Sequence, residues 1–365
     1  MRPVLTPTEM AEADRRTIAA GTPVEVLMER AGRAVAWTVR RVCGGTYGKR
    51  AVVVCGKGNN GGDGLVAARV LRGWGTHVDV FELKGGINQA RFERALRRSD
   101  VVVDAMYGTG FKGALEADAA RVTAVLESVP AYSVSVDIPS GIDGLTGEMS
   151  GEAFWADRTV CFAGLKSGLL FQPGRAHAGD VDVVDIGVDV GEPLVGVTEA
   201  SDVARDLPRR APEAHKWQSG VMVVGGSGGM TGAPLFASHA AMRAGAGIVW
   251  CCVPAEDTAA GASGSEVITR AMPATAAGAL DEAAATAVLK DVERFRCLVL
   301  GPGLGREEAT AAAVRRIAAE APVPLVLDAD GLNCLARDLD LLRVRTAPTV
   351  LTPHAGEYER LTGAP

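Results

Sequence analysis

Aromatic side chains make up only 5% of these 365 residues, although 47% of the chain is hydrophobic. Ala and Gly abound, and such a core is packed from aliphatic chains, as is ordinary for α/β proteins. Basic runs are also missing, and the net charge of −6 speaks against a nucleic-acid partner. No apolar segment approaches the ~20 residues of a membrane span, so no membrane partner is expected. Met1–Thr6 lacks an apolar signal-peptide core, and a cytoplasmic setting is expected. The seven cysteines are scattered without a C-x-x-C pair. Cys251 and Cys252 are adjacent on an expected strand and face opposite ways; reduced thiols are the reading, with no disulfide and no zinc. No G-x-x-x-x-G-K-[ST] occurs in the region after Pro212, which excludes a P-loop enzyme there.

What is present centres on Cys55-Gly56-Lys57-Gly58-Asn59-Asn60-Gly61-Gly62-Asp63-Gly64, which joins the apolar run Ala51–Val54 to the helix-compatible Leu65–Leu71. Strand, glycine-rich turn and helix together present backbone N–H groups and a helix N-terminus to an anion. Gly56, Gly58 and Gly61 satisfy G-x-G-x-x-G, and Glu82 stands where a ribose-binding acid would be, so a dinucleotide dehydrogenase is one reading. Asp63, expected in the first helical turn, opposes it, because a carboxylate there repels a pyrophosphate. Asn59 and Asn60 are neutral oxygen donors that suit a cation. The loop therefore reads as a site for a phosphorylated ligand together with a hard ion.

At this length two domains are expected, with the boundary in the charged, proline-bearing stretch Thr198–Pro212. The spans are 1–207 and 208–365. Helices are predicted at Thr8–Ala19 and Pro23–Val42; in the second, Val24, Leu27, Met28, Ala31 and Val35 form one apolar stripe, read as core or subunit interface. Strands follow at Ala51–Cys55, His77–Leu83, Val101–Ala105 and Ser133–Asp137, with helices near Gly62–Arg72, Gln89–Arg98 and Glu116–Glu127 and further apolar runs at Thr159–Ala163 and Val181–Ile186. Valine-rich strands alternating with helices make an α/β parallel sheet in three layers. Ligands in such sheets bind at the strand carboxyl ends. There stand Asp104 with the turn Gly108–Ala114 and its Lys112, then Asp137 with Pro139, Ser140 and Gly141.

The motifs C-G-K-G-N-N-G-G-D-G, D-A-M-Y-G-T-G-F-K-G and S-V-D-I-P-S-G-I-D, with L-M-E-R-A-G upstream, resemble the NAD(P)H-hydrate epimerase family (the YjeF N-terminal domain) over roughly residues 5 to 205. The resemblance implies a Rossmann-like fold, a homo-oligomer, and interconversion of the R and S hydrates of NADH and NADPH (NADHX and NADPHX). It also implies that Asn59, Asn60, Gly61, Gly62 and Asp63, with Gly108, Thr109, Gly110, Phe111, Lys112, Gly113 and Ala114, contact the substrate. By the same resemblance Asn60, Asp104 and Ser140 hold a potassium ion (K+), Asp137 acts at the reacting end, and Lys112 is its candidate catalytic partner. Arg30 stands where the family more often has asparagine, a position read as concerning the dimer rather than the chemistry.

A second α/β pattern runs through the turns Gly225–Pro234, Gly301–Gly305, Asp328–Asn333 and Thr352-Pro353-His354-Ala355-Gly356-Glu357. It resembles the ADP-dependent NAD(P)H-hydrate dehydratases, ribokinase-like in fold, over about 216 to 362. The resemblance implies that Ala233, Gly303 and His354 line a hydrate site, that Glu357 lies near magnesium (Mg2+), and that ADP is used. The K-G-x-x-T loop and G-S-G-D turn of those enzymes do not occur before the sequence ends at Pro365. The dehydratase half is accordingly expected to be incomplete and inactive in this chain. A non-catalytic nucleotide-binding module is the remaining alternative.

Overall fold

The computed structural model describes residues 1–126, 129–254, 266–336 and 338–364. The chain divides into two compact units, Met1–Leu207 and Pro208–Pro365.

The first unit opens with a short strand, β1 (Arg2–Leu5), and two helices, α1 (Pro7–Ala19) and α2 (Val24–Val42). Thr6 starts α1 through a capping box with Glu9, followed by Pro7, so two orphan N–H groups are satisfied at once. Pro23 is the N-cap of α2 and not its first helical residue. Alternation then sets in: β2 (Arg50–Cys55), α3 (Asn59–Gly73), β3 (His77–Glu82), α4 (Gln89–Leu96), β4 (Val101–Ala105), α5 (Ala117–Leu126), β5 (Tyr132–Val136), β6 (Arg158–Phe162), β7 (Leu165–Lys166), α6 (Gly174–His177), β8 (Asp180–Val184), β9 (Val195–Val197) and α7 (Ala200–Asp206). Glu127, the expected end of α5, lies outside the described residues.

Six of these strands form one parallel sheet in the order β3-β2-β4-β5-β6-β8. Alternate residues of its strands feed apolar layers on its two faces: Val53 and Val103 join the layer of α2 and α3, while Val52 and Val102 join Phe92 and Leu96 of α4. Strands buried on both sides need this near-continuous valine. A second, three-stranded sheet, β7-β1-β9, was not anticipated, because β7 and β9 are too short for a periodicity to register. It pairs Leu5 with Lys166, so the first residues of the chain help to position that lysine.

The second unit repeats the pattern: β10 (Gly220–Val224), α8 (Gly232–Arg243), β11 (Ile248–Pro254), β12 (Ile268–Met272), α9 (Ala284–Val292), β13 (Cys297–Leu300), α10 (Glu308–Glu320), β14 (Leu325–Leu327), α11 (Asp330–Cys334), β15 (Thr349–Leu351) and α12 (Ala355–Thr362). Its parallel sheet runs β12-β11-β10-β13-β14-β15. In each sheet the chain leaves a strand on one side and resumes on the other, across β2/β4 and β10/β13. Such a switch point opens a crevice at the strand carboxyl ends. Among the described residues no helix is long and apolar enough to cross a membrane.

Candidate active site

A cleft of about 680 Å³ opens at the β2/β4 switch point of the first unit. Its geometry starts with Gly56, the residue after β2. A Cβ there would stand 1.8 Å from the carbonyl oxygen of Met106, and one on Gly61 would stand 2.1 Å from the Gly56 oxygen. Only glycine lets the two loops and the start of α3 close on one another. The helix accordingly begins at Asn59, three residues before the expected start. Asp63 therefore sits in its second turn, not at its N-terminus, and is 8% exposed.

Asp104 ends β4 and is wholly buried. Its Oδ1 accepts the Ser140 hydroxyl at 2.6 Å and the Met106 N–H at 3.1 Å, and its Oδ2 accepts the Ser140 N–H at 2.8 Å and the Ser135 hydroxyl at 3.2 Å. Burial nonetheless pushes it up to about 6, against the pull of those hydrogen bonds, and no cationic side chain among the described residues pairs with it. The Ser140 hydroxyl also accepts the Tyr107 N–H at 3.0 Å.

Asp137 follows β5 in a left-handed conformation, φ 66°, rare for a residue with a side chain. Its N–H donates to Val160 O at 2.8 Å, and its Oδ2 accepts the Thr109 N–H at 3.1 Å. The other oxygen, Oδ1, lies 2.9 Å from Lys166 Nζ; the contact is an ion pair off hydrogen-bond alignment. Lys166 is fully buried and donates to Phe162 O at 2.7 Å and Gly164 O at 3.3 Å. Burial alone would lower this ammonium, but Asp137 beside it carries it above its ordinary value.

Of the residues expected at the site, Asn59, Asn60, Asp63, Gly108, Thr109, Gly110, Phe111, Lys112, Ala114 and Asp137 line the cleft. Gly61, Gly62 and Gly113 do not; Gly62 packs on Met28. Asp104 and Ser140 are bonded to each other behind the lining. Lys112 is exposed, and the lysine that meets Asp137 is Lys166, which sequence reasoning missed; a lone lysine after the apolar Thr159–Ala163 was the available signal. Val24, Leu27, Met28 and Ala31 of α2, with Met10 and Ile18 of α1, form an apolar wall, so part of the α2 stripe faces the ligand space. Asp14 on α1 also lines the cleft and was missed. Two buried polar atoms there, Asn60 Nδ2 and Thr109 Oγ1, have no hydrogen-bond partner among the described residues. Glu82 is exposed at the end of β3 and is not in the lining.

In the second unit a Cβ on Gly303 would lie 3.5 Å from the Ala233 Cβ and 2.8 Å from Met230 O, so these two expected residues are neighbours. His354 and Glu357 build the start of α12: Glu357 Oε2 accepts the His354 N–H at 3.1 Å, and His354 Nδ1 accepts the Gly356 N–H at 3.2 Å. His354 Nε2 lies 3.3 Å from Glu357 Oε1.

Fold and cleft define a parallel α/β protein with a ligand crevice at a switch point, polar on the sheet side and apolar on the helix side. Two family models match it: "YjeF-related protein N-terminus" over residues 24–88 and 83–168, and "NAD(P)H-hydrate dehydratase" over residues 221–365. The bifunctional NAD(P)H-hydrate repair enzyme Nnr of Moorella thermoacetica is 37% identical over 99% of this chain and 75% of its own length. That of Salinibacter ruber is 36% identical over 99% and 75%, and that of Mycobacterium tuberculosis 38% over 95% and 72%. The chain belongs to the family of bifunctional NAD(P)H-hydrate repair enzymes.

Proposed function

We propose that the first unit epimerises the R and S hydrates of NADH and NADPH at ring carbon 6, with Asp137 as its central acid–base group. In the hydrate, carbon 6 bears a hydroxyl beside the ring nitrogen. Protonation of that hydroxyl lets the nitrogen lone pair expel it as water, leaving a planar iminium cation to which water can add on either face. A fixed carboxylate stabilises that cation and carries the proton. The observation that supports this is the Asp137–Lys166 pair, 2.9 Å apart at the cleft and held off the sheet by a left-handed corner. A pure binding module has no need of a buried ammonium to orient one carboxylate. Lys112, exposed on the turn after β4, is proposed to meet the phosphates rather than the ring. The apolar wall of α1 and α2 suits the flat rings of the substrate.

Asn60, Asp104 and Ser140 would hold a potassium ion. The fit rests on a wholly buried carboxylate with no ion pair among the described residues and on the Asn60 Oδ1 oxygen, which faces Gly108 in the same cleft. When bound, the ion would offset the charge of Asp104 and the substrate phosphates.

For the second unit the proposed ligands are ADP and magnesium. Glu357 closes the α12 cap with His354, and no step is derived through that ion. The second unit is proposed to dehydrate no S hydrate as it stands; ADP-dependent recovery of reduced-cofactor absorbance from S-NADHX would overturn that.

The epimerase reading is tested by incubating isolated R-NADHX with the protein in potassium and in lithium salts and separating the epimers. S hydrate should appear faster than in buffer, and faster with potassium. A rate equal to that of buffer in both salts would sink it.

A further inference from the structure

Inversion at carbon 6 sets a condition that one carboxylate does not meet. We take the ring as held in one orientation, by the phosphates at one end and by the apolar wall of α1 and α2 on its flat side. Water must then leave from one face of the cation and return to the other, and each face needs a proton carrier. Asp137 reaches the cleft from the end of β5, and both its oxygens are fixed, by Thr109 and Lys166. Two other carboxylates line the same cleft from different elements, Asp63 from α3 and Asp14 from α1. Asp63 is more than nine-tenths buried, and neither group makes a hydrogen bond or ion pair among the described residues.

We propose that Asp63, with Asp14 near it, is the second acid–base group of the cleft and serves the face of carbon 6 opposite to Asp137. This rests on the epimerase reading. In one direction the Asp63 carboxyl gives its proton to the hydroxyl oxygen, the C6–O bond breaks with its electron pair leaving on water, and the nitrogen lone pair forms the C=N bond. Water then bonds to carbon 6 from the other face, the π pair returns to nitrogen, and Asp137 takes the released proton. The reverse reaction exchanges the two roles, and solvent resets the protons.

The charges around Asp63 agree with a group that holds a proton. Facing the cleft with it are Asp14, Asp137 and, behind Asp137, Lys166; at the loops stand Lys57, Lys112 and Glu116, of which Lys57 and Glu116 lie 3.4 Å apart. The side chains that α2 adds to the lining are all apolar. Burial first, then Asp137 and Asp14, pushes Asp63 up to about 8. Asp14 is likewise raised by burial, with Lys166 opposing and Asp137 adding to the shift.

The test follows inversion and oxygen exchange together, in water enriched in oxygen-18. The unaltered chain should incorporate the label and invert at comparable rates. Asp63→Asn replaces a neutral acid by a neutral amide of the same shape. It should slow inversion of both epimers by ~10²-fold or more, the usual reach of a general acid–base group, while the epimer whose hydroxyl faces Asp137 still takes up label with retention within ~10-fold. Equal losses of exchange and inversion from both epimers, or inversion at the original rate, would overturn the proposal. Asp14→Asn gives an independent reading, also if Asp63→Asn does not fold. Removing that charge should move the alkaline fall of inversion to lower pH, and an unmoved profile would count against the pairing. If the unaltered chain neither exchanges nor inverts, the epimerase reading itself has failed.

Discussion

The two units share one architectural device and differ in what they hang on it. In both, the glycine after the strand at the switch point meets the backbone of the loop across the crevice. A Cβ on Gly56 would lie 1.8 Å from Met106 O, and one on Gly225 would lie 2.4 Å from Pro302 O. In the first unit the charged groups at this place are buried and poorly compensated: Asp63 and Asp104 stand at about 8 and about 6, well above ordinary carboxylates. In the second unit the strand-end acids Asp328 and Asp330 are only half-buried. Asp330 accepts the Gly305 N–H at 2.9 Å, Asp328 accepts the Thr352 hydroxyl at 2.7 Å, and Glu357 closes a helix cap with His354. The shared topology thus supplies a place for chemistry, and the charge arrangement decides which place is poised for proton transfer.

The glycine device is the part whose loss should cost most. Gly56→Ala puts a carbon inside a carbonyl contact that only a shift of β2 against β4 could relieve, and ~3 kcal/mol or more of stability should go. Gly225→Ala, with its wider approach, should cost less. Thermal unfolding of each variant measures this, and a milder effect at Gly56 than at Gly225 would break the parallel.

Next comes the buried pair. Lys166→Met leaves Asp137 without its cation and should destabilise the first unit by ~3–5 kcal/mol, most of which Asp137→Asn in the same chain should restore. Additive losses in the double variant would mean that the two groups do not depend on each other.

A pH-dependent effect follows from Asp63. Its folded value of about 8 lies above the ordinary 3.8, so between those limits the folded state holds a proton that the unfolded chain releases. The associated stabilisation is complete below pH ~4 and is lost as pH rises through ~8. Asp63→Asn should therefore unfold at a higher temperature relative to the parent at pH 9 than at pH 5, and a pH-independent difference would contradict the raised value. The smallest effect belongs to the second unit. His354→Ala removes a helix cap and should cost ~1 kcal/mol, read as a modest fall in unfolding temperature.

The two six-stranded sheets, apart from the edge strand β12, are legible in the sequence, because strands buried on two faces demand valine-rich runs and their turns demand glycine and aspartate. The sheet-side wall of the cleft, with Asn60, Gly108 and Asp137, is legible for the same reason: strand ends are marked. The helix-side wall is not. Asp14 and the residues Met10 and Leu27 come from amphipathic helices whose periodicity is the same whether they cover a core or a ligand. Lys166 is hidden differently. Its role arises where β7 pairs with β1, and two-residue strands leave no pattern to read. The early start of α3 escaped because two glycines and two asparagines read locally as a turn, whereas close packing against Gly56 makes them helical.

The central claim is that Asp137, fixed by Lys166 at the first switch point, carries the epimerisation. It is tested most directly by the rate of R-to-S conversion in Asp137→Asn beside the parent chain, with hydrate binding measured on the same samples. Conversion should fall by ~10²–10³-fold, the usual loss for one preorganised electrostatic group, while binding stays within a few-fold. An Asn variant that converts the R hydrate within a few-fold of the parent would contradict the account.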